Sequence, residues 1–359
     1  MAGGTGGHVY PALAIADALL NNGQPVVWLG THRGLEARVV VAANIPIEWL
    51  SISGLRGKGV LSWLVAPFRL VFALIQAISI VHRLKPRLVI GMGGFVSGPG
   101  GVAAWLLRVP LIVHEQNAVA GLTNRVLARL GKRVLQGFDN AFEPAPKVVT
   151  VGNPVREEIR DIAEPTQRFA NREGALRLLV IGGSQGALAL NTTVPAMLAL
   201  LPEDARPLVR HQAGPGTLEL AQDAYSKAAV LGEVTAYIDD MAAALSWADC
   251  VVCRAGALTV AELINAGLGG VLVPFPAAVD DHQTANARAL VDADAAIIVQ
   301  QSELTPQSLR DALNALGSER AELLQRARNA RSLRNQDSIA AVLAQCAAVL
   351  DDETLEVAA

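Results

Sequence analysis

Cysteine, aromatic residues and an excess of one charge sign are all scarce in this chain. The three cysteines, Cys250, Cys253 and Cys346, are an odd number in 359 residues, which argues against a disulfide framework and for a reducing compartment. Aromatics make up 4% of a chain that is 52% hydrophobic, so its cores need Ala, Val, Leu and Ile, which suit buried parallel strands under helices. A net charge of -3 excludes a strongly basic nucleic-acid-binding composition. We expect a cytoplasmic α/β protein.

Metal-binding patterns and targeting signals are also lacking. Cys250 and Cys253 form C-x-x-C, but they fall in a Val-rich, strand-like run where positions three apart face opposite sides. Buried packing is therefore favoured over a metal or redox site, and no other His, Asp, Glu or Cys group has convincing ligand spacing. We expect no bound metal or cofactor. The N-terminus has no basic segment followed by an apolar run, so no signal peptide is predicted.

Strand-like and helix-like patterns alternate along the chain and restart after a charged stretch at residues 156–173. A chain of 359 residues exceeds one usual core, so two domains are expected. This predicts two doubly wound α/β domains facing a central cleft, with a boundary near Asn153 and Pro154. The predicted strands are residues 26–29, 88–90, 111–113, 148–151, 178–181, 208–211, 251–253, 271–273 and 296–299. The predicted helices of the first half are residues 11–20, 98–107 and 122–130.

Three glycine-rich loops stand out, at residues 3–8, 91–101 and 182–187. Glycine lets backbone amides approach an oxyanion closely, although tight strand-to-helix turns need glycine for structural reasons too. Neither the first nor the third loop matches G-x-G-x-x-G with an acidic residue about twenty positions later, which disfavours a dinucleotide site. The first loop begins at residue 3, so the strand expected before it is short or absent.

The apolar segment at residues 60–80 is nearly long enough to span a bilayer. Pro67 and Arg69 interrupt it, and cations flank it. A surface helix that docks on a membrane is favoured over a half-buried helix, and both over a true span.

Several polar residues follow predicted strands or glycine loops. His8 lies in the first loop, and an ordinary histidine pKa near 6.5 suits a general base. Glu262 lies in the first turns of a helix, where it could offset the helix dipole or accept hydrogen bonds from a ribose. Residues 280–286 could contact sugar hydroxyls or cap a helix.

These motifs together resemble the MurG family of UDP-N-acetylglucosamine transferases over essentially the whole chain. The resemblance is also carried by residues 52–59, 114–117, 121–124, 151–156, 237–241, 254–262 and 280–286. It implies a GT-B fold with two Rossmann-like domains. Residues 1–153 would form an acceptor and membrane-docking domain, residues 154–334 a donor-binding domain, and a C-terminal helix at about 335–359 would pack on the first.

The resemblance implies inverting transfer of N-acetylglucosamine from UDP-GlcNAc to the muramyl C4 hydroxyl of lipid I, which makes lipid II. His8 would be the base, assisted by Glu115 and Asn124. The implied donor-binding residues are Thr5, Gly6, Gly7, Asn117, Arg156, Ser184, Ile238, Ala257, Leu258, Thr259, Glu262 and Gln283. The implied acceptor and membrane residues are Arg56, Lys58, Trp63, Phe68, Phe72 and Phe95. The chain departs from the family where Phe95 replaces a frequent Tyr and Ala255 a frequent Ser.

The implied partners are UDP-GlcNAc, lipid I, an anionic membrane surface and other cell-wall or division proteins. The expected location is the cytoplasmic face of the inner membrane. Two alternatives stay open: another UDP-sugar enzyme of this fold, such as an epimerase or a soluble-acceptor transferase, and an inactive nucleotide-sugar binding subunit. The hydrophobic basic segment favours a lipid acceptor over the first, and an intact set of His8, Glu115 and Asn117 argues against the second.

Overall fold

Short strands alternate with helices in both halves of the computed structural model, which describes residues 1–32, 34–52, 60–183, 186–334 and 337–358. The chain divides into two units. Unit 1 comprises Met1–Val155 and Gln336–Ala359, and unit 2 comprises Arg156–Asn335. The division falls two residues after the predicted boundary at Asn153.

Unit 1 contains parallel strands in two sheets. The first sheet pairs β1 (Trp28–Gly30) with β2 (Ile47–Trp49), and the second has the order β3 (Val89–Gly91), β4 (Leu111–Glu115), β5 (Arg133–Gln136) and β6 (Val148–Thr150). The helices are α1 (Gly6–Asn21), α2 (Glu36–Ala42), α3 (Val60–Leu84), α4 (Ser97–Leu106), α5 (Leu122–Leu130) and the C-terminal α15 (Ser338–Ala358). Helix α15 contributes Val342, Cys346 and Val349 to the unit 1 core.

The first two residues lie between the two sheets of unit 1. The Met1 amino group donates to the Ile90 carbonyl at 2.8 Å, and the Met92 amide donates to the Met1 carbonyl at 2.9 Å. On the other side, Trp28 Nε1 donates to the Ala2 carbonyl at 2.9 Å. The chain then enters the first glycine loop, and no strand is assigned before α1.

Unit 2 is built on one parallel sheet with the strand order β12-β11-β10-β7-β8-β9. Its strands are β7 (Arg177–Ile181), β8 (Leu208–Gln212), β9 (Glu233–Thr235), β10 (Cys250–Cys253), β11 (Gly270–Leu272) and β12 (Ala296–Ile298). Its helices are α6 (Glu157–Arg160), α7 (Pro165–Phe169), α8 (Leu188–Leu198), α9 (Leu218–Lys227), α10 (Met241–Trp247), α11 (Ala257–Ala266), α12 (His282–Asp292), α13 (Pro306–Leu316) and α14 (Arg320–Ser332).

The centre of this sheet is apolar on both faces because helices cover both sides. Leu178, Val180 and Val252 are buried there. Cys250 and Cys253 occupy the two ends of β10 and are buried free thiols. Burial raises the pKa of Cys250 to about 12 and that of Cys253 further still, so both remain protonated at neutral pH. This packing explains the C-x-x-C spacing.

Helix α3 has one buried edge and one exposed apolar face. Ala66, Ala73, Ala77 and Val81 are buried, while Val65–Leu84 has a mean hydropathy of 1.7 with only 17% of its most apolar window buried. By length and composition alone, this is the one helix among the described residues that could cross a membrane. Its exposed large side chains include Phe68, Val71, Phe72 and Ile75, which are three and four positions apart and so share a face.

Candidate functional site

The first two glycine loops of unit 1 pack against each other around His8. His8 lies in the first turn of α1, and Gly93 and Gly94 follow β3 with φ of +96° and +82°. A Cβ on Gly93 would lie 2.8 Å from His8 Cε1, and one on Gly94 would lie 2.1 Å from the Gly3 carbonyl oxygen. Glycine is therefore required here for close packing as well as for backbone conformation.

His8 is linked through Gln116 to a second, fully buried histidine. His8 Nδ1 lies 2.8 Å from Gln116 Oε1, and Gln116 Nε2 lies 3.0 Å from His114 Nδ1. His114 Nε2 lies 3.1 Å from the Gly152 carbonyl oxygen. Burial lowers the pKa of His114 to about 4, although the Gly152 carbonyl and the nearby Glu115 oppose the shift, so His114 is neutral at pH 7.

Glu115 is buried at the end of β4 and organises the loop that follows. Its Oε1 accepts from the amide and the side chain of Asn117 at 2.9 and 3.1 Å. Its Oε2 accepts from the Gly121 amide at 3.0 Å and from Asn124 Nδ2 at 2.9 Å. These four hydrogen bonds hold Asn117 and Asn124 in place. The assistance that Glu115 and Asn124 would give to the base stays a prediction.

A second buried carboxylate, Glu36, supports the first glycine loop. Glu36 Oε2 accepts from the Gly4 amide at 3.0 Å, and Oε1 accepts from the amide and hydroxyl of Thr31 at 3.0 and 2.7 Å. A Cβ on Gly3 would lie 2.7 Å from Glu36 Oε1, so a side chain at position 3 would collide with the carboxylate. Glu36 was not among the predicted site residues.

The remaining predicted residues of unit 1 lie at its surface or outside the described part of the chain. Thr5 is the exposed N-cap of α1, followed by half-buried Gly6 and Gly7. Phe95 is half exposed before α4. Arg56, Lys58 and the Trp63 side chain lie outside the described residues.

In unit 2, the predicted donor residues follow the carboxyl ends of parallel strands. The strand order reverses between β7 and β10, which is the position where open α/β sheets bind ligands. Gly183 follows β7, whereas Ala257, Leu258 and Thr259 form the first turn of α11, after β10. The N-terminus of α11 presents backbone amides and partial positive charge. Ile238 follows β9, and Ser184 lies outside the described residues.

Arg156 and Glu262 form an ion pair at the edge of this site. Arg156 Nη2 lies 3.6 Å from Glu262 Oε1, and 12% of the Glu262 side chain is exposed. Burial raises the pKa of Glu262 to about 7, although Arg156 opposes the shift. Glu262 is thus a carboxylate near its titration point at neutral pH.

Gln283 is oriented by two backbone amides from different strands' loops. Its Oε1 accepts from the Phe275 amide at 2.9 Å and from the Ala255 amide at 3.3 Å. The buried Asn286, one turn along α12, donates to the Ala255 carbonyl at 3.2 Å. The two contacts to Oε1 direct the Gln283 amide nitrogen away from both backbone amides. Its contact with the sugar stays a prediction.

A bound metal ion would need a cluster of side chains that could ligate it. Within the part of the chain that the structure describes, no group of three or more His, Cys, Asp or Glu side chains is placed to hold a metal ion. Transfer without a metal stays a prediction.

Two domain families match this chain. The glycosyltransferase family 28 N-terminal domain matches residues 1–136, and the family 28 C-terminal domain matches residues 177–342. A curated relative from Alkalilimnicola ehrlichii is 56% identical and covers 96% of this chain and 97% of its own. The chain belongs to the MurG family. That relative is named UDP-N-acetylglucosamine--N-acetylmuramyl-(pentapeptide) pyrophosphoryl-undecaprenol N-acetylglucosamine transferase, as is a Nitrosococcus oceani protein at 54% identity, with 96% of each chain covered.

Solved structures agree with this family and with the predicted GT-B fold. Acinetobacter baumannii MurG is 43% identical, with a TM-score of 0.83 over 96% of this chain and 97% of that one. The calicheamicin glycosyltransferase CalG4 has a TM-score of 0.69 at 18% identity over 98% and 97% of the two chains, which shows a shared fold alone. The prediction of two Rossmann-like α/β domains with parallel sheets is confirmed.

Proposed function

We propose that this protein transfers N-acetylglucosamine from UDP-GlcNAc to the muramyl C4 hydroxyl of lipid I, making lipid II with inversion at the sugar. The observation that carries the proposal is identity of 53 to 56% with three enzymes of that name over 96% of the chain. Its natural consequence is a part in peptidoglycan synthesis, and through it in cell shape and division.

In this proposal His8 is the general base that takes the proton of the acceptor hydroxyl as that oxygen attacks the anomeric carbon. The hydroxyl oxygen forms the new glycosidic bond, and UDP leaves with the electrons of the bond that breaks. A histidine is the side chain whose ordinary pKa suits this task near neutral pH. The four hydrogen bonds to Glu115 favour a supporting role for that carboxylate, which holds Asn117 in place.

Unit 2 would bind the donor. Arg156 and Ile238 would hold the nucleotide, Glu262 the ribose, and Gln283 the sugar. Backbone amides after β7 and at the start of α11 would stabilise the departing diphosphate through fixed dipoles, so that leaving-group charge is met without a metal.

The direct test is incubation of the purified chain with UDP-[14C]GlcNAc and a lipid-linked muramyl acceptor. The proposal predicts radiolabelled lipid with release of one UDP for each sugar transferred. Transfer of the labelled sugar only to a soluble acceptor would favour another transferase of this fold. Interconversion of the UDP-sugar without transfer would favour an epimerase, and binding of UDP-GlcNAc without turnover would favour an inactive subunit.

The exposed face of α3 is proposed to dock on the anionic cytoplasmic surface of the inner membrane. Phe68, Val71, Phe72 and Ile75 form an apolar strip, and cations follow the helix at Lys85 and Arg87. Apolar insertion combined with basic flanks is the usual physical basis of peripheral binding. Docking there would bring a polyprenyl acceptor to unit 1.

Vesicle flotation tests this surface. A variant with Trp63, Phe68 and Phe72 changed to serine should lose binding to vesicles that contain anionic lipid. Leu208→Ser with Leu231→Ser is the matched control, since both residues are exposed leucines of unit 2. Equal flotation of the folded triple variant and the control would exclude α3 as the docking surface.

A further inference from the structure

His8, Gln116, His114 and the Gly152 carbonyl form a series of hydrogen bonds, and the Gly152 carbonyl fixes the direction of each one. His114 Nε2 faces the Gly152 carbonyl oxygen at 3.1 Å. A carbonyl oxygen only accepts, so Nε2 carries the proton. His114 is fully buried and neutral, and in a neutral imidazole the second nitrogen is an acceptor. His114 Nδ1 is therefore an acceptor.

The orientation of the Gln116 amide follows from two acceptors. Its Nε2 lies 3.0 Å from His114 Nδ1 and 3.2 Å from the His114 carbonyl oxygen. Reversal of the amide would place Oε1 against both of these acceptors, which is repulsive. The nitrogen must therefore face His114 and the oxygen must face His8. Asn153 Nδ2 also fixes the backbone, because it donates to the Gln116 carbonyl at 2.9 Å.

Gln116 Oε1 can only accept, and it lies 2.8 Å from His8 Nδ1. His8 Nδ1 must then carry a proton, which leaves the lone pair of the neutral ring on Nε2. A side chain at position 93 would collide with the same edge of the His8 ring, because a Cβ there would lie 2.8 Å from both Cε1 and Nδ1.

We propose that Gln116 and His114 are positioning residues that hold His8 in the Nδ1–H tautomer, so that Nε2 is the atom that receives the acceptor proton. This inference rests on the proposed role of His8 as the base. Without the hydrogen bonds of Gln116 and His114, His8 would exchange between two neutral tautomers. Molecules with the proton on Nε2 could not act as the base, and a correct tautomer is a known requirement of histidine bases.

The tautomer is measured without reference to activity. In NMR spectra of the full chain with ring-¹⁵N histidine, recorded at alkaline pH, His8 is assigned as the signals missing from His8→Gln. We expect a protonated Nδ1 and an unprotonated Nε2. A protonated Nε2, or an averaged pair of tautomers, would overturn the proposal.

Gln116→Leu tests whether the tautomer of His8 affects turnover. It should give an averaged His8 tautomer and lower kcat by about 10-fold or more, with little change in the KM for UDP-GlcNAc. Gln136→Leu is the matched control, because Gln136 is also buried in unit 1 and makes two hydrogen bonds that do not involve histidine. Its kcat should stay within about twofold of wild type. Equal kcat losses in both variants would overturn the proposal.

The tautomer measured in the wild-type chain keeps the proposal falsifiable if the leucine variant folds poorly, because that measurement needs no substitution at Gln116. His8→Ala with wild-type turnover would refute the base role alone, since it leaves the measured tautomer of the wild type unchanged.

Discussion

Two carboxylates, the fully buried Glu115 in unit 1 and the partly buried Glu262 in unit 2, have opposite surroundings. Both oxygens of Glu115 are occupied by donors from its own loop. Glu262 has one ion pair to Arg156 at 3.6 Å, and burial raises its pKa to about 7. The two oxygens of Glu115 accept four hydrogen bonds, whereas Glu262 is paired with the partly exposed Arg156.

These surroundings suit different roles for the two units. Around His8, hydrogen bonds to Gln116 and Glu115 fix the neighbouring side chains in advance, which would suit the proposed base. Around Glu262, ligand hydroxyls could supply donors in addition to Arg156. We infer a preorganised reaction side in unit 1 and a binding side in unit 2 that is completed by its ligand.

The largest effect is expected at the centre of the preorganised side. His8→Ala should lower kcat by about 10²-fold or more because it removes the base, with UDP affinity unchanged. His82→Ala, at an exposed position on α3, is the control. Steady-state assays with UDP-GlcNAc and lipid acceptor measure both. Wild-type turnover in His8→Ala would remove His8 from this role.

Loss of the Glu115 charge should weaken the fold itself. In Glu115→Gln either orientation of the amide places a donor against two existing donors, which should cost about 2–3 kcal/mol. The melting temperature should fall by about 5–10 °C. Glu48→Gln removes one exposed ion pair to Arg83 and should cost less than about 1 kcal/mol. Equal melting temperatures for the two variants would contradict the structural role of Glu115.

Gln283→Glu should separate sugar recognition from nucleotide recognition. The new carboxylate can still accept from the amides of Ala255 and Phe275, but it has no donor for the sugar. The KM for UDP-GlcNAc should rise about 10-fold, whereas the Kd for UDP should not change. Kinetics and calorimetry give the two numbers. A parallel loss of UDP affinity would place Gln283 at the nucleotide instead.

The smallest effect is a pH dependence at Glu262. Its pKa of about 7 means that its carboxyl is largely protonated at pH 6 and largely ionised at pH 8. An ionised carboxylate is the stronger acceptor for ribose hydroxyls, so UDP affinity should fall about fivefold from pH 8 to pH 6. Glu262→Gln cannot titrate, and its profile reports only the ionisation of UDP. Parallel profiles for the two proteins would exclude Glu262 from ribose binding.

Much of the fold could be predicted from local patterns. Helix α5 has the predicted bounds, and β4 and β7 extend the predicted runs by only one or two residues. The strands β2, β5 and β9 were missed, because each is three or four residues long and carries a charged residue. Two of them lie at sheet edges, where one side needs no apolar cover.

The site was less predictable because its supporting contacts are long-range. His8 and Glu262 stand near glycine loops and helix starts, which sequence reveals. Gln116 lies 108 positions from its partner His8, although its spacing of two from His114 in an extended segment hinted at a shared face. Glu36 resembles any acidic residue at a helix start, and only the folded loop shows that it is buried against Gly4.

Calorimetric titration of the folded chain with UDP tests the central claim most directly, which is that unit 2 binds a uridine diphosphate. We expect saturable binding with one UDP for each chain, and weaker binding when Arg156 is changed to alanine. The absence of any uptake by well-folded protein at millimolar UDP would contradict the account.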